Sequence, residues 1–119
     1  MTAPSHAPAA DAAVRLLTTL VEHGVRDIVL SPGSRSQAFA LAAAALARSG
    51  SLRVHVRIDE RVAGFTALGI GRESGAPAAV ICTSGTAAAG YLPAAMEAFH
   101  AGVPLILVVY GIGAAIGSY

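Results

Sequence analysis

Four short aliphatic runs punctuate the chain: Ile28-Val29-Leu30, the alternating Leu52, Val54, Val56 and Ile58, then Ala78-Ala79-Val80-Ile81-Cys82, and last Leu105-Ile106-Leu107-Val108-Val109. Between them lie stretches whose apolar residues recur at helical spacing. This alternation constrains the fold more than any other feature, because parallel strands buried on both faces read as apolar runs and need a helical crossover between them. Helices are expected over residues 11–23, with Asp11 as N-cap and Gly24 as stop, over 36–48, closed by Gly50, over 60–73, and from the Ser84-Gly85-Thr86 turn towards residue 101. Strands are expected at 26–30, 52–58, 77–83 and 104–109. The fold class predicted is α/β: a doubly wound parallel sheet in a three-layer α/β/α arrangement. Ala63, Gly64, Ala67, Gly69 and Gly71 give the third helix a small-residue surface for close packing on the sheet, with a helix–helix subunit contact as a further expectation.

The length of 119 residues suits one domain, divided here into a leader (1–10), an α/β domain (11–109) and an atypical tail (110–119). At 55% hydrophobic, the chain carries more apolar surface than one small core uses, so part of it is expected to face another protein. Eight basic residues, all Arg, oppose seven acidic ones, which gives no footprint for nucleic acid or for a polybasic membrane contact. Two charge-free stretches, 74–96 and 101–119, are broken by Pro93, Pro104 and several glycines and are read as buried elements rather than membrane spans. A lone Cys82 makes no internal disulfide, and the first residues lack the pattern of a secretory signal, so a cytoplasmic protein is expected. His6, His23, His55 and His100 follow no ligand spacing, so no metal site is assigned to this chain, and Cys82, inside an apolar run, is not read as a nucleophile.

Ligands of doubly wound sheets collect beyond the carboxyl ends of the strands. Three of the expected strands end in polar chemistry. Ser31-Pro32-Gly33-Ser34-Arg35-Ser36 puts a tight turn, hydroxyls and a guanidinium at a helix start, suited either to a carboxylate or phosphate or to ordinary capping by Ser34 or Ser36. Asp59-Glu60-Arg61 brings two carboxylates to a strand–helix junction. They serve as a cap and dipole partner, or, if Glu60 faces a dry cleft, as a proton-handling group, with burial and the helix dipole pulling its acidity in opposite senses. Thr83-Ser84-Gly85-Thr86 offers hydroxyls and backbone N–H groups to a ligand, or caps the next helix. Neither a dinucleotide fingerprint nor a P-loop is present.

Together the strings Leu30-Ser31-Pro32-Gly33-Ser34-Arg35-Ser36, Val56-Arg57-Ile58-Asp59-Glu60-Arg61-Val62-Ala63-Gly64-Phe65 and Thr83-Ser84-Gly85-Thr86-Ala87 resemble the 2-succinyl-5-enolpyruvyl-6-hydroxy-3-cyclohexene-1-carboxylate synthases of menaquinone biosynthesis, over residues 12–109. The similarity is to their N-terminal pyrimidine-binding domain. It implies thiamine diphosphate and Mg2+ as cofactors, 2-oxoglutarate and isochorismate as substrates, and a homodimer or homotetramer. The diphosphate and the metal are held by a domain this chain does not resemble. Glu60 matches the glutamate that hydrogen-bonds a ring nitrogen of the cofactor's aminopyrimidine and thereby helps generate its carbon nucleophile. Pro32, Gly33, Thr83, Ser84, Gly85 and Thr86 match the cofactor pocket, and Ser34 and Arg35 the substrate end.

Two departures stand out. Gly90 occupies the place of an Asn in the resembled pattern, and after Val109 the chain runs Tyr110-Gly111-Ile112-Gly113 where that pattern carries an arginine. A truncation, an unrelated tail and a shifted reading frame all produce such an end. A fragment that is catalytically inactive alone is the reading the resemblance supports. A non-catalytic anion-binding module and one subunit of a split thiamine-diphosphate decarboxylase are the alternatives.

Overall fold

In the computed structural model, which describes residues 8–33, 37–83 and 85–110, β1 (Asp27–Leu30) is buried at every position. It is a central strand. β2 (Arg53–Val56) pairs along one side of it and β3 (Ala78–Thr83) along the other, and β4 (Leu105–Tyr110) pairs with β3, so the order is β2-β1-β3-β4 and every pairing is parallel. The chain therefore steps outward from β1 to β2 and then returns across β1 to β3. That reversal is a topological switch point, and it lies between the carboxyl ends of β1 and β3.

Helices cover both faces, as the sequence predicts. On one side α1 (Pro8–Glu22) and α2 (Gln37–Arg48) bury Ala13, Leu17, Phe39, Ala42 and Ala43 against Ile28, Leu30, Ala79 and Ile81. On the other, Ala63 and Ala67 of α3 (Glu60–Ser74) meet Val29, Ala78, Val80 and Cys82, together with Tyr91. The alternation of neighbouring β-residues between these two cores is the period of two that a pleated strand imposes.

Several boundaries differ from the sequence reading. The first helix begins at Pro8, so Asp11 lies in its first turn, where its charge suits the helix dipole, rather than at the N-cap. β2 spans four residues rather than seven: its last pairing hydrogen bond runs from Arg57 N to Leu30 O (3.0 Å), where β1 ends, and Ile58 beyond it is 81% exposed. The expected fourth helix is two, α4 (Thr86–Ala89) and α5 (Leu92–Ala101), broken at Gly90-Tyr91. Pro93, which lacks an N–H, sits in the first turn of α5, where none is needed, and could not continue an earlier helix. No helix among the described residues is long and apolar enough to cross a membrane. Most of the leader (1–7) and of the tail (111–119) lies outside the described residues.

The small residues of α3 are used inside the chain. A methyl group built on Gly64 would lie 3.1 Å from Ala94 Cβ of α5, and one on Gly71 would lie 2.9 Å from the backbone oxygen of Pro104. At Gly69 nothing stands within 4 Å. Gly71→Ala should therefore cost about 1–3 kcal/mol through overpacking against a backbone that has no slack. Gly69→Ala should stabilise by about 0.5–1 kcal/mol, because alanine has less backbone freedom to lose. Urea denaturation of the two variants should move in opposite directions.

Asp27, only 5% exposed at the start of β1, accepts a forked pair of hydrogen bonds from Arg53 Nε and Nη2 (both 2.9 Å) and lies 3.0 Å from His55 Nε2. The Arg53 guanidinium holds its carboxyl below the ordinary value of 3.8, against the opposing effect of burial and with further help from His55. A depressed carboxyl stabilises the fold above the unfolded value and loses that contribution as pH falls through the folded one. Asp27→Asn should thus destabilise at neutral pH by roughly 1–2 kcal/mol, a modest figure since Arg53 is largely exposed. The gap between variant and parent should narrow in acid denaturation below the carboxylate range.

Candidate functional site

The parallel register puts the carboxyl ends of all four strands at one end of the sheet. Ser31, Pro32 and Gly33 follow β1 there, Asp59 and Glu60 follow β2, and Thr83, Gly85 and Thr86 follow or close β3. The sequence reading placed its candidate residues at one end, and the described ones lie there. Ser34, Arg35 and Ser84 lie outside the described residues.

The two acidic residues at the head of α3 divide their work. Asp59 is the N-cap, with extended backbone, and its Oδ1 accepts the hydrogen bond of Val62 N at 3.1 Å. The capping role open to either carboxylate is thereby filled by Asp59. Glu60, one residue into the helix, is half-buried, and no hydrogen bond or ion pair reaches its carboxylate among the described residues. Its flank is closed by the break between α4 and α5: a methyl group on Gly90 would come within 3.2 Å of Glu60 Cβ and 3.4 Å of Arg61 N. The backbone of that turn is therefore pressed against the first turn of α3.

Behind Glu60 lies a group of buried polar side chains that sequence reasoning missed. Tyr91 is 1% exposed, with its ring against Gly64, one turn along α3 from Glu60. Its Oη and Ser31 Oγ are both shut off from water without a partner in hydrogen-bond geometry. Cys82, fully buried at the end of β3, donates its S–H to Thr83 O at 3.0 Å. Burial pushes the Tyr91 phenol far above the usual tyrosine range, with Cys82 adding to the rise, Ser31 opposing it, and the negative charge of Glu60 adding a little more. Burial also raises the Cys82 thiol, opposed by Tyr91 and reinforced by Glu60. That thiol is poor nucleophile chemistry, as expected from its apolar run. The only signal in the sequence for Tyr91 was the Gly90-Tyr91-Leu92-Pro93 break itself.

Two roles were open to the turn after β3, ligand binding and capping, and no side-chain cap bond is made there among the described residues. Gly85 is the N-cap of α4, at φ 90° and ψ −145°, and gives no side-chain cap bond. That backbone suits glycine, and Thr86, at the head of the four-residue helix that follows, is exposed. Thr83 is half-buried at the strand end, while Pro32 is exposed and Gly33 half-buried across the switch point. No group of three or more metal-ligating side chains occurs among the described residues.

Residues 10–116 match the family described as "Thiamine pyrophosphate enzyme, N-terminal TPP binding domain". The chain belongs to this family. It is 66% identical over 101 residues to the 2-succinyl-5-enolpyruvyl-6-hydroxy-3-cyclohexene-1-carboxylate synthase of Leifsonia xyli subsp. xyli, covering 85% of this chain and 17% of that protein. The protein of the same name from Clavibacter michiganensis subsp. michiganensis is 59% identical over the same shares, and that of a Nocardioides species 54% identical over 91% of this chain and 20% of its own length. The chain thus spans a fifth or less of these curated relatives.

A neutral buried phenol has a signature at high pH. A group whose folded pKa is raised stabilises the fold below its unfolded value, here 10.0, and loses that contribution as pH rises. In a spectrophotometric alkaline titration, one of the three tyrosines should ionise only as the fold is lost. Tyr91→Phe should lack that step.

Proposed function

We propose that this chain is the pyrimidine-binding segment of a thiamine-diphosphate-dependent synthase that decarboxylates 2-oxoglutarate and joins the succinyl unit to isochorismate in menaquinone biosynthesis, and that it is inactive alone. One observation carries the reading: a half-buried carboxylate at the strand ends whose capping role is taken by Asp59 and which has no partner among the described residues. Such a group fits an aminopyrimidine, because a half-buried carboxylate that no protein donor engages is available for the hydrogen bond a ligand brings. The names of the relatives support the choice of substrates.

Thiamine diphosphate, when bound, supplies the carbon nucleophile. Glu60 is the catalytic residue here and holds a proton at a ring nitrogen of the aminopyrimidine. Pro32, Gly33, Thr83, Ser84, Gly85 and Thr86 line the cofactor pocket, their small side chains letting backbone approach a flat ring. Ser34 and Arg35 take the substrate's carboxylate, for which a guanidinium is the suited fork. Mg2+ and the diphosphate fall to the part of the longer relatives that this chain does not match. The domain reading of 11–109 as one pyrimidine-binding unit and a cytoplasmic setting go with this proposal. The bare Ile58 and Phe99, 81% and 82% exposed, support assembly as a homodimer or homotetramer.

The test is a chimaera in which the matched 101 residues of this chain replace their counterpart in the Leifsonia xyli synthase. Turnover of 2-oxoglutarate with isochorismate is expected, and Glu60→Gln in that chimaera should lower kcat by about 100-fold or more, the scale of a lost proton-handling group. A folded chimaera that is inactive, or one whose activity survives Glu60→Gln, overturns the proposal.

A further inference from the structure

A side chain on the first turn of a helix leaves it in a direction the helix backbone dictates, so the orientation of Glu60 depends on how α3 is held. That turn moves as one piece, because Asp59 Oδ1 accepts from Val62 N at 3.1 Å and Asp59 O from Ala63 N at 2.9 Å. Ala63 and Ala67 seat the helix on the sheet, and side chains so small resist a roll about its axis only weakly. Two contacts one turn apart on a flank stop such a roll. Residues 60 and 64 share a flank of α3, and the α4–α5 break meets it at both. A methyl group on Gly90 would come within 3.2 Å of Glu60 Cβ and 3.4 Å of Arg61 N, and one on Gly64 within 3.1 Å of Ala94 Cβ and 3.8 Å of Tyr91 Cα. The side that presses is itself anchored. Gly90 N and Tyr91 N donate to Ala87 O and Ala88 O (both 3.1 Å), Tyr91 O accepts from Ala95 N at 2.9 Å, and Tyr91 and Ala94 are buried.

We propose that Gly90 is a positioning residue for Glu60. Without a side chain, it lets the main chain of the α4–α5 break lie against the first turn of α3. Together with the Ala94–Gly64 contact one turn on, this fixes the roll of the helix and with it the direction of the Glu60 carboxylate. A methyl group at Gly90 would displace Glu60 Cβ by a few tenths of an ångström. With Cβ about 3.3 Å from the helix axis, that is a roll of about 5°, which grows to about 0.5 Å at the carboxylate. Such a shift reaches the tolerance within which functional groups must be held. The contact stands on the geometry of this chain, while its effect on turnover rests on the role proposed for Glu60.

The test reads the side-chain carboxyl carbon of Glu60 in this chain labelled at glutamate, assigned by its loss in Glu60→Gln. Gly90→Ala crowds one contact and Ala94→Gly opens the other, and each is expected to move the Glu60 signal. Gly71→Ala is the control: it crowds the same helix at its far end, where a methyl group lies 2.9 Å from Pro104 O, and should leave the signal in place. In the Leifsonia xyli chimaera, Gly90→Ala should lower kcat about 10-fold with KM for 2-oxoglutarate unchanged, the scale of a misplacement of about half an ångström. Gly71→Ala should leave both alone. Folded Gly90→Ala and Ala94→Gly chains with an unmoved signal overturn the proposal, and if Gly90→Ala does not fold, Ala94→Gly decides. A Gly71→Ala chain that moves the signal equally also overturns it, since the effect is then general loosening. A moved signal without a change in kcat, in a chimaera that Glu60→Gln disables, overturns the positioning role in turnover. A chimaera that Glu60→Gln leaves active overturns the proposed function instead, and the carboxyl signal then decides by itself whether Gly90 orients Glu60.

Discussion

The pairing of β1 on both of its edges is the constraint from which the site follows. Because β2 and β3 run parallel to β1 on opposite sides, the connection after β1 and the connection after β3 must leave the sheet towards opposite faces, and a crevice opens between them. The backbone ladder continues to the last residue that can support it, with Ser31 N donating to Ile81 O at 2.9 Å. Polar side chains can stand in the crevice only beyond that bond. Ser31, the first residue past β1, and Thr83, the last of β3, mark its two lips.

Onto this crevice α3 delivers Glu60, and the sequence Asp59-Glu60 makes the delivery economical. A helix start needs an acceptor for its unpaired N–H groups, and a cleft needs a carboxylate that is not already engaged. With one acid at each of two successive positions, the first satisfies the backbone and the second is left over. The small residues of α3 act in the same direction. Ala63 and Ala67 let the helix settle on β1 and β3, and Gly64 lets Tyr91 and Ala94 close behind it, which sets how deep Glu60 sits.

Much of this was legible in the sequence, for physical reasons that name themselves. The four apolar runs became the four strands, and the polar residues after three of them gathered at one end, because parallel strands of equal direction leave no other outcome. Strand order was not legible: nothing in Ile28-Val29-Leu30 says that its neighbours are β2 and β3 rather than β2 and β4. The length of β2 was overread since alternation continues to Ile58 while pairing stops where β1 does. The start of α1 was set three residues late because Asp11 is as good a first-turn residue as it is a cap. Tyr91 went unnoticed because its burial comes from residues far apart in sequence, Gly64 and Cys82 among them, which only the fold assembles.

Gly90 shows how a departure from a resembled pattern is resolved by geometry. Read as sequence, glycine in place of asparagine is a loss of one hydrogen-bonding side chain near the pocket. In the structure the position is already filled by backbone. A Cβ there meets Ala87 O and Glu60 Cβ, both at 3.2 Å, so any side chain would require the α4–α5 turn or the first turn of α3 to give by a few tenths of an ångström. Glycine lets the turn close until the main chain itself walls the flank of Glu60. Next to it in the turn, Tyr91 is buried with its ring against Gly64 of α3, so the wall beside Glu60 is fixed by packing from within the core.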